Sequence, residues 1–312
     1  MTQGLLAREA CVFCNRSDLE ILIPPATLPD RVPVLKCRKC GLVFLESRKK
    51  KDEPDLEETA YWDGAAQKKI YLETRIRKLF AKEFEKRLRK INQFVPLKGK
   101  LLDVGCGVGH FLESARKQGW EVQGLDIAHA AQALARETYG FDVQVGTLED
   151  ASFALKEFDV ITLWDVIEHV RRPVENLIAA NRMLRMNGVL VLKTPNEASF
   201  FKQFVLAMYR RFGRNAAFLL KYVYYVPHYF SYSEKTLNLL LNRCGFEAIH
   251  CERDGTPSEF AAEKIHVHYR KDPKRFWVVS LLPFASFIAK VLRHENKLVV
   301  YARKVREAGE NE

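Results

Sequence analysis

Three groups of residues in this chain have types and spacings suited to chemistry. The first is a pair of knuckles, Cys11-x-x-Cys14 and Cys37-x-x-Cys40, separated by 22 residues. Two such pairs present four thiolates as a tetrahedron, the donor set of a structural Zn2+ with no open coordination position. The second is Leu101-Leu102-Asp103-Val104-Gly105-Cys106-Gly107-Val108-Gly109, an apolar run that passes into three alternate glycines. Glycine is required where the backbone takes positive φ or must touch a ligand. The spacing Gly-x-Gly-x-Gly differs from the dinucleotide fingerprint Gly-x-Gly-x-x-Gly. Asp126 follows seventeen residues after Gly109, placed to accept hydrogen bonds from both hydroxyls of a ribose. The third group is Asp165, Glu168 and His169, with Tyr225 and His228 further on. A histidine whose ordinary pKa lies near neutrality suits deprotonation of an acceptor hydroxyl; Glu168 and His169 serve equally well as anchors of their loop. Cys106, Cys244 and Cys251 lack metal-like spacing and read as packing residues.

These residues need a scaffold, and the apolar pattern from Lys100 onward supplies one. Strands LLDVG, EVQGLDI, DVQVG, FDVITLW and GVLVLKT alternate with helices over 109–118, 130–139 and 174–184, and FEAIHCE and KLVVYARK close the series. Such alternation predicts an α/β fold, a doubly wound, seven-stranded, mostly parallel sheet. In that architecture nucleotide-like ligands bind at the first strand-to-helix crossing, where the three glycines fall. The expected organisation is a zinc-ribbon module over 1–50, a linker and basic amphipathic helix over 51–98, and a catalytic domain over 99–306. Apolar residues from Ile70 to Phe94 recur every three or four positions, predicting a helix over 66–94 with a solvated basic face. An aromatic and basic insertion interrupts the rhythm over 196–232. Its Lys202, Arg210, Arg211, Arg214 and Lys221 suit an anionic ligand or a membrane surface, and Ser233 is placed to cap the next helix.

The glycine loop, Asp126 and the run FDVITLWDVIEHVRRPVENLIAANRMLRMNGVLVLKTPN together resemble class I S-adenosylmethionine-dependent methyltransferases of the small-molecule branch, the ubiquinone-type O-methyltransferases. The likeness covers roughly residues 100 to 305. It implies that S-adenosylmethionine is cosubstrate, that Asp103, Gly105, Gly107 and Gly109 cradle its methionine moiety and that Asp126 holds the ribose. It implies further that Leu148 borders the adenine and that Trp164 lies near the sulfonium. His169, Asp165 and His228 are the candidate catalytic residues. The four-cysteine module is similar to that of sugar methyltransferases, some of which carry Tyr-x-Glu-His where this chain has Tyr225 to His228 with Pro227 in place of the glutamate; that departure favours O- over C-methylation. A four-cysteine module on this fold also resembles certain ribosomal-RNA guanine methyltransferases. LWDVIEHV, however, lacks the Asn or Asp followed by two prolines that exocyclic-amine methyltransferases carry there.

Composition narrows the partners. Lys and Arg outnumber Asp and Glu by 50 to 39, a formal charge of +11, which favours anionic partners. The expected acceptor is a small molecule or glycan bearing phosphate, such as a nucleotide-linked or lipid-linked sugar, with nucleic acid the lesser alternative and a non-catalytic cofactor-binding module a third. The first residues carry no readable secretory signal, so a cytoplasmic location is expected. The most apolar stretch, Phe276 to Ala289, contains Pro283 and is too short to span a bilayer. With Leu281 to Leu292 amphipathic, peripheral contact with the inner membrane surface or a lipid carrier is admitted.

Overall fold

The computed structural model describes residues 10–28, 31–46, 71–224, 228–270 and 272–309. The part of the expected linker that precedes residue 66, the first residues of the expected helix over 66–94, and Tyr225 and Pro227 lie outside them.

Seven strands form one sheet: β4 (Lys100–Val104), β5 (Glu121–Asp126), β6 (Gln144–Val145), β7 (Phe158–Trp164), β8 (Leu184–Pro195), β10 (Phe246–Asp254) and β11 (Lys297–Lys304). Their spatial order is β10-β11-β8-β7-β4-β5-β6. β4, β5, β6, β7 and β8 pair in parallel, and β11 is antiparallel to both neighbours. Leu101, Leu102, Val160, Ile161, Leu190 and Val191 are fully buried, as continuous β-branched and leucine runs must be when helices cover both faces. The chain runs outward from β4 through β5 to β6, then returns to the other side of β4 as β7. This reversal opens a crevice at the carboxyl ends of β4 and β7, the place where such sheets bind ligands.

The helices are α1 (Thr74–Phe94), α2 (His110–Lys117), α3 (His129–Tyr139), α4 (Pro173–Met183), α5 (Phe200–Phe212), α6 (Glu234–Arg243), α7 (Ser258–His268) and α8 (Arg275–Val291). α1 buries Ile76, Phe84, Leu88 and Ile91, the apolar stripe expected from its sequence. It also buries Arg87, whose guanidinium reaches Glu252 at 2.7 Å and contacts Asp254, both on β10. A buried cation is tolerated only when paired, so this ion cluster fixes where α1 lies across the sheet. Ser233 caps α6 as expected: its hydroxyl accepts from the Thr236 N–H while the Thr236 hydroxyl accepts from the Ser233 N–H.

Two features add to the expected organisation. The stretch between β10 and β11, read without elements of its own apart from an amphipathic tract, folds as α7 and α8. The cysteine module shares its sheet with the insertion. Its strands β1 (Leu19–Ile23), β2 (Val34–Cys37) and β3 (Val43–Leu45) form a sheet whose fourth strand is β9 (Phe230–Ser231), from the end of the insertion. Phe44 and Phe230 face each other across that junction and are buried, so the boundary near residue 50 divides the sequence but not the core.

Candidate functional site

The glycine loop leaves β4 with Gly105, Gly107 and Gly109 at φ +68, +52 and +87, a region that residues bearing a Cβ occupy at a cost. Crowding adds to this at Gly105, where a Cβ would stand 2.4 Å from Val166 Cγ2. The loop lies against the end of β5, where Asp126 accepts from the Gly107 N–H at 2.9 Å and the Ala128 N–H at 3.0 Å. Burial raises the Asp126 carboxyl, and these backbone donors oppose the shift. Asp103 sits beneath the loop, 2% exposed, and accepts from the Thr162 hydroxyl at 2.6 Å. Burial pushes it up to about 8, with Thr162 opposing and Asp126 adding to the shift. Cys106 is buried among Leu112, Ala135, Phe141 and Val143, as a packing residue should be.

Trp164 ends β7 beside this loop, and its indole packs between Phe84 of α1 and Phe111 of α2 at 5.8 and 5.0 Å between ring centroids. Its Nε1–H is buried without a hydrogen-bond partner among the described residues. Leu148 is buried in the main core with Val104 and Leu125.

One residue at this site escaped the sequence reading. His110 opens α2 directly after the third glycine; its Nδ1 lies 2.8 Å from the Tyr139 hydroxyl and its Nε2 2.9 Å from the Tyr71 carbonyl. Burial lowers its pKa to about 4, against the Tyr71 carbonyl, which raises it, and with Arg77 lowering it further. The neutral ring therefore ties the loop to the segment leading into α1. Its signal was position alone, as the first residue after Gly-x-Gly-x-Gly.

On the other side of β7, Asp165 takes φ +58 and Lys297 contacts its carboxylate, with Lys193 3.9 Å away. Burial pushes Asp165 up, but Lys297 and Lys193 outweigh it and hold the carboxylate well below its usual range. Asp165, a candidate catalytic residue, is thus an anion in an ion pair, poorly suited to take up a proton. Glu168 is fully buried; burial, opposed by Lys297 and reinforced by Asp165, pushes it up to about 7. His169 and His228 meet edge to face, ring centroids 4.6 Å apart. Burial and the charges of His169, Lys297, Lys202 and Lys264 push His228 well below the usual histidine range. One ligand atom each from Glu168, His169 and His228 lie within 4.8 Å of one another, a set that fits a divalent cation. The fold therefore brings His169 and His228 together across 59 residues of sequence, with β9 running directly past them: the Phe230 N–H donates to the Glu168 carbonyl at 3.3 Å and the Tyr232 hydroxyl to the Ile167 carbonyl at 3.3 Å.

The insertion's cations are not one anion site. Lys202 is buried, paired with Glu197 at 3.0 Å and contacting the Ser231 hydroxyl, and Lys221 pairs with Asp272 at 2.6 Å. Only Arg210, Arg211 and Arg214 of the five face solvent.

The four cysteines converge with their Sγ atoms within 4.8 Å of one another. The contacts Cys11 to Cys40 and Cys14 to Cys37 are both 3.5 Å, too long for a disulfide and close to the edge of a four-thiolate zinc tetrahedron. These residues fit structural Zn2+.

A doubly wound sheet with a glycine loop at its first crossing, an acid closing the next strand and β11 antiparallel beside β8 is the Rossmann-like fold of class I S-adenosylmethionine-dependent methyltransferases. The chain belongs to the methyltransferase-domain family, whose model matches residues 71–251. It is similar to the ubiquinone biosynthesis O-methyltransferase of Thiobacillus denitrificans, 33% identical over 129 residues, which are 39% of this chain and 55% of that protein. A relative of the same description from Cereibacter sphaeroides is 34% identical over 134 residues, 41% of this chain and 52% of that protein. The chain thus spans about half the length of these curated relatives. A crystal structure of a SAM-dependent methyltransferase from Archaeoglobus fulgidus aligns with TM-score 0.47 and 19% identity, covering 73% of this chain and 94% of that one.

Proposed function

We propose that the protein transfers a methyl group from S-adenosylmethionine to a hydroxyl of a small-molecule or glycan acceptor that carries an anionic group, such as a sugar or lipid-linked intermediate bearing phosphate. The observation that carries this reading is the convergence, on the two sides of β7, of the glycine loop with Asp126 and of the His169–His228 pair. Backbone at Gly105, Gly107 and Gly109 approaches the methionine moiety of the cosubstrate, Asp126 receives the ribose hydroxyls, and Asp103 holds the loop from beneath. Trp164 stands at the sulfonium and Leu148 at the adenine.

Methyl transfer is an in-line displacement. The S–CH3 bond breaks, its electrons stay on sulfur as a neutral thioether, an O–CH3 bond forms, and the acceptor proton leaves. Orientation supplies most of the rate. A general base must stand within hydrogen-bond reach of the acceptor hydroxyl; that role is assigned to His169, with His228 packed edge to face against it and Asp165 holding Lys297 in place. The formal charge of +11 supports an anionic acceptor. A second reading of the same three ligand atoms has Glu168, His169 and His228 hold a divalent cation that lowers the acceptor hydroxyl's pKa; the ammonium of Lys297 opposes it.

Isothermal titration with S-adenosylmethionine and S-adenosylhomocysteine tests the cofactor side. Both are expected to bind wild type, and binding should weaken by at least roughly a hundredfold in Asp126→Ala and Gly107→Val, the loss of two charge-assisted hydrogen bonds or of the loop's conformation. Radiolabelled methyl transfer to sugar-nucleotide acceptors by zinc-replete protein, with and without added Mg2+ or Mn2+, then separates base from metal. Turnover on RNA alone would replace the acceptor class, and folded protein that binds neither ligand would leave a partner-binding module.

A further inference from the structure

α8 carries a largely bare apolar face; among the described residues His266 meets it only at Phe276, ring centroids 5.6 Å apart. Phe276, Trp277, Leu281, Phe284, Phe287 and Val291 are 56 to 77% exposed. At 100° per residue they fall on one half of the helix, centred on Phe284, while Val278 on the other half is buried. From Phe276 to Ala289 there is no charged residue. Contiguous apolar surface of this kind on a folded chain marks an interaction site. α8 also packs beside α5, which exposes Phe204 and Phe212.

We propose that this face of α8 docks on an anionic membrane surface, the helix lying in the plane of the interface. The charge pattern selects that occupant. Lys274 at one end of the helix and Lys290 and Arg293 at the other are exposed, so an uncharged apolar middle is bracketed by cations, the arrangement that seats an interfacial helix among acyl chains and anionic headgroups. Trp277 stands at the amino end, where an indole favours the headgroup level. A second copy of the chain fits poorly: parallel or antiparallel, pairing two such faces sets cations against cations, in a chain already at +11. Spanning is excluded, since no helix among the described residues is long and apolar enough to cross a membrane. This inference stands apart from the identity of the acceptor.

Flotation of the full chain with phosphatidylcholine vesicles, with and without phosphatidylglycerol, tests it. Binding is expected to the anionic vesicles, roughly a hundredfold weaker without phosphatidylglycerol, as three interfacial cations imply, and weaker as salt rises. Trp277 emission should shift to the blue and be quenched by brominated lipid; Trp277→Phe should remove that signal. The exposed substitutions Phe284→Ser with Phe287→Ser should weaken binding by roughly tenfold or more while leaving S-adenosylmethionine affinity unchanged, so failure here is separable from failure of the proposed cofactor site. The proposal is overturned if the protein stays in the buffer with both vesicle types, or if light scattering finds a dimer that the double variant dissociates while Trp277 ignores lipid.

Discussion

His110 illustrates how one side chain can join chemistry to stability. Its ring is lodged between the Tyr139 hydroxyl and the Tyr71 carbonyl, and burial drops its pKa from 6.5 to about 4. The folded state therefore prefers the neutral ring. Its contribution is fully present above the unfolded pKa of 6.5 and is lost as pH falls from there through about 4. Urea unfolding of wild type should accordingly lose on the order of 2 kcal/mol between pH 7 and 4 from this group. His110→Gln should be less stable at pH 7 and show a slope shallower by that amount; equal slopes would mean the ring is free to ionise in the folded state. Asp165 and Glu168 show that neighbours decide what a carboxyl can do. Two lysines hold the first as an anion, while burial keeps the second near half-protonated at neutrality, and neither fate follows from the letters D-V-I-E-H.

At the scale of elements, β9 connects parts that lie far apart in the chain. It pairs with β3 of the cysteine module on one side, where the Leu45 N–H donates to the Tyr229 carbonyl at 2.8 Å, and touches the Ile167–Glu168 backbone on the other. Four thiolates without a metal lose the cross-link that holds a short three-stranded sheet in shape. Removal of zinc by a chelator, or Cys37→Ser, is therefore expected to raise amide hydrogen exchange at least tenfold in 229–232 and 166–169, while 100–128 keep their protection. Unchanged exchange in 166–169 would show that the acceptor side is independent of the module. The strands that carry the four cysteines thus reach the segment of Glu168 and His169 through β9.

At the scale of the molecule, the crevice exists because β5 and β7 leave β4 in opposite directions, so a cosubstrate bound there bridges three strands. Such a ligand stabilises the folded chain by mass action. At a concentration a hundred times its dissociation constant S-adenosylhomocysteine should add about 2.7 kcal/mol, a rise in Tm of about 4 °C, and Asp126→Ala should keep no more than about 0.4 kcal/mol of it. The central sheet was legible in the sequence because local rules specify it. Buried parallel strands read as unbroken apolar runs, helices as three- and four-residue spacings, and a glycine triplet marks the turn between them. The four-cysteine cluster was legible for the same reason, since its spacing is its geometry. The shared sheet of module and insertion, the meeting of His169 with His228, the pairing of Lys202 and Lys221 with acids, and the bare face of α8 were not legible. Each depends on which surfaces come together or stay apart across long stretches of chain. Residue type and spacing determined the sheet, the loop and the thiolate set, because these rest on contacts between near neighbours. Only the tertiary structure decided which charges are neutralised, which histidines touch and which apolar face is left to water, because burial and pairing belong to the assembled fold.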